Sequence, residues 1–467
     1  MLDRRTRIFL DILVHLTLLT LIGYSAWFWF ERLLYVDSAL QVFEWLQYDR
    51  LIPQQGYRWP AMVPQLVARL FRSFDADLRT VAIAASVAYA VWPYLLYLFT
   101  RYVLKGYLSA AMMGLAAVLF ARHTFYEMVL ETQLLAFYPL VLLGWMESGA
   151  RWGGRWAGVL ILLLCLMVHP IGLVAAICIV ALGYVVFALP RRTLILFVAM
   201  GVMWSLARFL LVPVSGYESD LYGDLLLALG SPSQWLALPQ VENFIDHAGR
   251  ASITYLPGIG LAACAIALLS MGRRWKVLAL FLLVALGYFA LISLTYYKGE
   301  SAVMIEKNLI FLGTWVAAVF LWALATAQAS ATVRWAGMGV VLLVTGMKVR
   351  DISLVGRMYT ARAESIRSLA EEGRPIGNKF IVSDTLLDAR GISVNWALPY
   401  ETLLASSMNG GPSVIFLEAL QDPDPFEADE YEVVLPVNDW RMEQRTRNGR
   451  YFRCGPGRYR RFVTIPQ

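Results

Sequence analysis

Asp37, in Tyr35-Val36-Asp37-Ser38-Ala39-Leu40, follows an apolar stretch from Ile8 to Phe30 that is long enough to cross a bilayer. A carboxylate at a membrane rim can serve as a general base, because partial burial raises its pKa toward a value useful for taking a hydroxyl proton. Asp also favours helix N-caps, so capping a helix that starts at Ser38 is a competing role for the same side chain. Further on, Arg122-His123-Thr124-Phe125-Tyr126-Glu127 is followed by Glu131, and two acids four residues apart share one face if the stretch is helical. Glu127 and Glu131 could then hold an acceptor or a metal ion, or pair with Arg122 and His123. Arg208, Lys298 and Lys307 lie near the ends of apolar stretches and Arg58 in the loop 31–79, all positive charges on the same side as Asp37 by the topology below. Lys298 and Lys307 equally suit anchoring by snorkelling, and Glu306-Lys307 suits a local ion pair. Charges at such positions are costly unless paired or used, which brings Glu44, Asp49, Glu300 and Glu306 into the same candidate set.

The elements that must hold these residues are membrane helices. Of 467 residues, 59% are hydrophobic and 16% charged, against roughly 25% charge in soluble domains. Mean hydropathy is +0.57, and the chain reads as an α-helical polytopic membrane protein. The net charge of +6 sits in short clusters between apolar stretches and does not point to nucleic acid. Cys165, Cys178 and Cys264 lie in apolar stretches and Cys454 stands apart, so no disulfide framework is expected. The first apolar stretch lacks a small-residue cleavage site and reads as a retained span.

Hydropathy places spans near 8–30, 80–104, 106–122, 128–147, 156–168, 170–189, 193–212, 251–271, 277–296, 308–328 and 333–349, about eleven in all. Arg4, Arg5 and Arg7 set the N-terminus in the cytoplasm. Lys105, then Arg151 and Arg155, Arg191 and Arg192, Arg273, Arg274 and Lys276, and Arg334 fall in alternate turns, as the positive-inside rule asks. By parity, loops 31–79 and 213–250, the turn 297–307 and everything after about 350 are exoplasmic. The apolar run from Trp156 to Leu189 would be about 50 Å as one helix, too long for a core of about 30 Å, so a turn is expected at His169-Pro170. His169 there is either a turn cap or a ligand or proton carrier.

Loop 31–79 holds two amphipathic segments, Ala39 to Tyr48 and Trp59 to Phe74, broken at Pro53-Gln54-Gln55-Gly56. They suit either a membrane interface or a packed cap. Residues 1–349 thus form a transmembrane domain, and 350–467 a small soluble α/β domain. In the latter, Met358 to Glu372 and Pro399 to Met408 read as helices. Lys379 to Ser383, Ser413 to Leu417, Tyr431 to Leu435 and Tyr459 to Ile465 read as strands. No Walker A loop, dinucleotide glycine fingerprint or metal-ligand cluster is present in this tail.

With Asp37 early in the first exoplasmic loop, Gln55-Gly56-Tyr57-Arg58-Trp59 further along it, and a soluble tail after Arg350, the chain resembles the C-type (GT-C) superfamily of polytopic glycosyltransferases. The resemblance implies transfer of a sugar from a polyprenyl-phosphate donor to a lipid, glycan or protein acceptor on the exoplasmic face. Asp37 is then the base of an inverting displacement, and Arg58, Lys298, Lys307 and Arg208 are the phosphate-binding cations. The family often has a second acidic site in a later loop; Glu127, Glu131 and His123 are its nearest counterparts here, as a second acidic or acceptor site. No cofactor is assigned, and a divalent metal stays open. A bacterial inner membrane suits the architecture. A lipid or glycan transporter or flippase, or a non-catalytic membrane scaffold, is the alternative, though neither repeated halves nor a run of mid-span charges is found.

Overall fold

A computed structural model describes residues 3–48, 58–129, 131–149, 153–211, 216–250, 252–295, 302–326, 330–418, 431–435, 440–443, 448–455 and 458–462. Four of its helices are long and apolar enough to cross a membrane: Arg4–Trp27, Leu78–Val103, Trp275–Thr295 and Met304–Thr326. Their length and apolar composition are those of a helical membrane protein. Shorter apolar helices run over Tyr107–Ala116, Gly154–Val168, Gly172–Phe187 and Leu256–Met271. The helix Tyr107–Ala116 spans only about 15 Å. It is enclosed by Arg4–Trp27, Glu131–Glu147 and Ala302–Thr326, so its short length exposes little backbone to lipid.

The chain does turn at His169-Pro170. His169 adopts φ −163° and ψ 152° after the helix Gly154–Val168, the extended backbone that a following proline imposes. Its Nδ1 accepts from the Ile171 amide at 3.1 Å, and the Gly172 amide returns to the His169 carbonyl at 2.8 Å. A Cβ on Gly172 would lie 2.0 Å from the Cys165 carbonyl oxygen, a backbone atom with no room to yield. Gly172→Ala is therefore expected to destabilise by about 1–3 kcal/mol or more through forced separation of the two helices. Thermal unfolding in detergent measures it, and an unchanged midpoint would show that the turn is loose.

The last span and the first helix of the tail are one element. The helix Ala331–Gly373 runs 43 residues, about 64 Å at 1.5 Å per residue. The division at 349/350 thus falls inside a helix. Composition changes there from apolar to charged, but the helical period of buried residues continues through Asp351, Val355, Tyr359, Arg362 and Ile366.

Beyond it, strand β1 (Lys379–Val382) pairs in parallel with β2 (Ile415–Glu418), and with β5 (Arg460–Arg461) on its other side. The helices Asp384–Ala389 and Leu398–Ser407 make the crossover between β1 and β2. Strands β3 (Tyr431–Leu435) and β4 (Trp440–Glu443) form an antiparallel pair. The strand read over Tyr459 to Ile465 is strand only at Arg460–Arg461, and 463–467 lie outside the described residues. Phe380, Phe416 and Phe462 close the core, with ring centroids 4.9–5.4 Å apart.

The two amphipathic segments take different roles. The helix Asp37–Tyr48 packs under the tail, with Phe43 4.9 Å from Tyr400 and 5.2 Å from Phe452 by ring centroids. It is a packed cap. The helix Gln65–Ser73 instead turns Leu66, Val67, Leu70 and Phe71 outward, Leu70 being 52% exposed, and Phe74 beyond it is 76% exposed. That apolar outer face with Arg69 and Arg72 beside it suits the membrane interface. The break read at Pro53 to Gly56 lies outside the described residues.

Candidate functional site

Asp37 begins its helix and does not precede it. The backbone carbonyl of Val36 accepts from the amides of Ala39 and Leu40 at 3.1 and 3.2 Å, so Val36 holds the cap position. Val36 does so at φ +43°, in the left-handed region that a β-branched residue rarely adopts. Asp37 is left half-buried in the first turn, where the helix dipole favours a carboxylate.

Its neighbour there is Glu127, 4% exposed. Burial raises the Glu127 pKa above the ordinary carboxylate range; Lys307 opposes, and the charge of the Asp37 carboxyl acts in the same direction as burial. Lys307 Nζ stands 3.8 Å from Glu127 Oε1.

Lys307 also faces a second group of charges. Burial lowers the pKa of His169, and Arg58, Lys307 and Arg208 each push it lower still. Three cations from distant parts of the chain therefore act electrostatically on one imidazole. Arg58 precedes the short 3₁₀ segment Trp59–Met62, Arg208 ends the helix Arg191–Leu211, and Lys307 opens Ala302–Thr326. Because His169 Nδ1 accepts a backbone hydrogen bond, its neutral ring carries the proton on Nε2. His169 serves the turn and faces the cations at once.

The remaining predicted residues divide. Lys298 lies outside the described residues, as does the Glu131 side chain. Glu131 starts the helix Glu131–Glu147 while Glu127 sits in the turn before it, so the two do not share a helix face. The apolar run misled here: residues 117–129 are mostly turns, and helix begins only after them. His123 leaves the acid pair for an aromatic stack. Its Nδ1 is 3.3 Å from the Tyr359 hydroxyl, and Tyr359 stacks on Tyr126 at 4.3 Å. Burial lowers its pKa, with Glu306 opposing. Tyr35, 5.0 Å from Tyr359 by ring centroids, connects this stack to the residue pair before Asp37. Burial pushes the Tyr35 phenol up to about 12, which keeps it a proton donor.

Glu306 turns away from Lys307. It accepts from the amides of Arg122 and Thr124 and from the Thr124 hydroxyl, the last at 3.0 Å. Arg122 reaches Asp351 at 3.3 Å, and Asp351 also meets Lys348 at 3.2 Å. Lys348 is 0% exposed. Lys348 and Asp351 were visible in sequence as charges i, i+3 at the end of the last span, yet they did not enter the candidate set. Among the described residues no group of three or more His, Cys, Asp or Glu side chains forms a metal-binding cluster.

A small apolar recess opens close by, lined by Leu18, Leu21, Pro93, Phe137 and Ile310. Arg32 and Gln133 are its polar walls, and Arg32 donates to the Phe125 carbonyl, two residues before Glu127, at 2.9 Å. Comparison of the chain with protein-family models, with characterised proteins and with solved structures found no match.

Proposed function

We propose that this protein is a membrane glycosyltransferase of GT-C type that moves a sugar from a polyprenyl-phosphate donor to an acceptor hydroxyl on the exoplasmic face. One observation carries the reading: Lys307 Nζ stands 3.8 Å from Glu127 Oε1, and its charge, with those of Arg58 and Arg208, also acts on His169. A phosphate held by Arg58, Lys307 and Arg208 stands beside a carboxylate that can take a proton. In that reading Asp37 removes the acceptor proton, the acceptor oxygen attacks the anomeric carbon, and the bond from that carbon to the phosphate oxygen breaks. The departing lipid phosphate keeps its electrons and is stabilised by the three cations and the Nε2–H of His169. Direct displacement inverts the anomeric carbon. Glu127, held protonated, hydrogen-bonds Asp37 and keeps its carboxylate aimed.

The topology fits this reading. The charged site gathers ends of segments that the positive-inside count assigns to one face, which supports a cytoplasmic N-terminus and a periplasmic tail in a bacterial inner membrane. Glycan, lipid and protein acceptors all remain compatible with it. A second reading, transport, draws on the buried Arg122–Asp351–Lys348 charges. Flux of a lipid-linked glycan through proteoliposomes without any transfer would favour it.

The direct test is binding of polyprenyl phosphate against polyprenol in detergent, followed by native mass spectrometry. Lys307→Met and Arg58→Met are each expected to weaken the phosphate by about tenfold or more, one charge-assisted contact being worth about 1.5–3 kcal/mol. Polyprenol binding should stay unchanged. Equal phosphate binding by wild type and both variants would remove the site.

The pH dependence follows from Glu127. Its proton is held above the ordinary carboxylate range, so raising pH through that ionisation places a second negative charge beside Asp37. The rate of transfer is expected to fall along an alkaline limb that Glu127→Gln abolishes. A limb that persists in Glu127→Gln belongs to another group.

A further inference from the structure

We infer that Glu401, from the helix Leu398–Ser407 of the tail, is a positioning residue for Asp37 that acts through the backbone of Val36. The catalytic side of this inference rests on the transferase reading; its geometric side does not. Val36 immediately precedes Asp37 and is held at φ +43°. A β-branched residue in that region costs on the order of 1–3 kcal/mol and persists only where its surroundings over-determine it. The surroundings here are specific. Glu401 Oε1 accepts the Val36 amide at 2.9 Å, and its other oxygen accepts from Arg362 Nη2 at 2.9 Å. Arg362 in turn donates through Nη1 to the Leu34 carbonyl at 2.9 Å. Its guanidinium lies over the Tyr35 ring at 5.3 Å.

Leu34, Tyr35 and Val36 are thus gripped in succession by one ion pair, whose acid is 0% exposed. Arg362 is also fastened to the tail, through the carbonyl of Val394 at 3.1 Å. The strained residue sits at the one place where backbone rotation re-aims the first side chain of the next helix. Relaxing Val36 to an ordinary negative φ turns that helix start, and the Asp37 carboxyl leaves Glu127. Docking of the tail on the membrane half therefore assembles the acid pair. An ion pair that merely joined two parts of the chain would not need to take the Val36 amide.

The test uses the full-length protein in detergent and reads the carboxylic-acid infrared band of Glu127, assigned by its loss in Glu127→Gln. Glu401→Leu removes the acceptor, while Glu401→Gln keeps a carbonyl oxygen for the Val36 amide. In Glu401→Leu the Glu127 band should titrate at lower pH, because Asp37 no longer opposes its ionisation. In Glu401→Gln it should stay near wild type. Transfer by Glu401→Leu should show kcat reduced about a hundredfold, the scale of a 1 Å misplacement, with KM for the lipid donor within about twofold. A folded Glu401→Leu with the wild-type Glu127 titration overturns the inference. If Glu401→Leu fails to fold, Val36→Gly serves: glycine accepts either sign of φ, loosens the same joint and should shift the band in the same direction. An unshifted band there overturns it equally. A shifted band in a protein that transfers no sugar upholds the positioning role and removes the transferase reading alone.

Discussion

Asp37→Asn is expected to lower sugar transfer by about 10²–10⁴-fold, the range contributed by a positioned general base. Asparagine keeps the size of the side chain and its place in the first turn of the helix Asp37–Tyr48. It loses only the capacity to take a proton. The thermal midpoint should change little, since the side chain is half-buried and the Val36 carbonyl, not the carboxylate, caps the helix backbone. Release of polyprenyl phosphate from a panel of radiolabelled polyprenyl-phosphate sugars, in membranes carrying their own acceptors, measures the rate. Lipid-phosphate binding serves as the control. Normal transfer by Asp37→Asn would dismiss Asp37 as base. Loss of transfer together with loss of folding would make it structural.

The largest stability effect should come from the buried charges on the long helix. Asp351 neutralises two cations, Lys348 at 3.2 Å and Arg122 at 3.3 Å. Removing one partner of a buried ion pair leaves a charge without compensation and costs about 3–5 kcal/mol. Asp351→Ala should reach that range, because Lys348 has no route to solvent. Lys348→Met should cost distinctly less, since Arg122 remains to meet Asp351 and the new side chain suits an apolar wall. Unfolding of both variants in detergent gives the comparison. Equal effects would mean that Arg122 does not compensate Asp351, and no effect from Asp351→Ala would mean that water reaches the cluster.

Much of this was readable in sequence because charges in apolar surroundings carry a large penalty. Asp37, Arg58, Arg208 and Lys307 stood out for that reason. The turn at His169-Pro170 was legible because proline fixes the residue before it. Pairing was not legible. Nothing in the string Glu306-Lys307 indicates that one side chain turns to Arg122 and the other to Glu127, since helix rotation against its neighbours decides it. Glu127 and Glu131 looked like one helix face because periodicity does not mark where a helix begins. Val36 gave no warning at all, because a valine before an aspartate promises ordinary extended or helical backbone. Glu401, whose carboxylate makes that conformation tenable, comes from a part of the chain that read as a separate domain.

The helix Ala331–Gly373 removes the joint that its composition suggests. A helix that runs unbroken for about 64 Å has no slack where its composition turns charged. The two halves behave as a mast and what it carries: a push on the tail reaches the other end as tilt or rotation of a rod and cannot be absorbed by a tether. The same rod bears Lys348 and Asp351 low down, Tyr359 midway and Arg362 above, so a single rotation would move the buried charges, the aromatic stack and the grip on Leu34 together. Cutting at residue 350 would not separate two domains. It would fell the mast between its footing and its load.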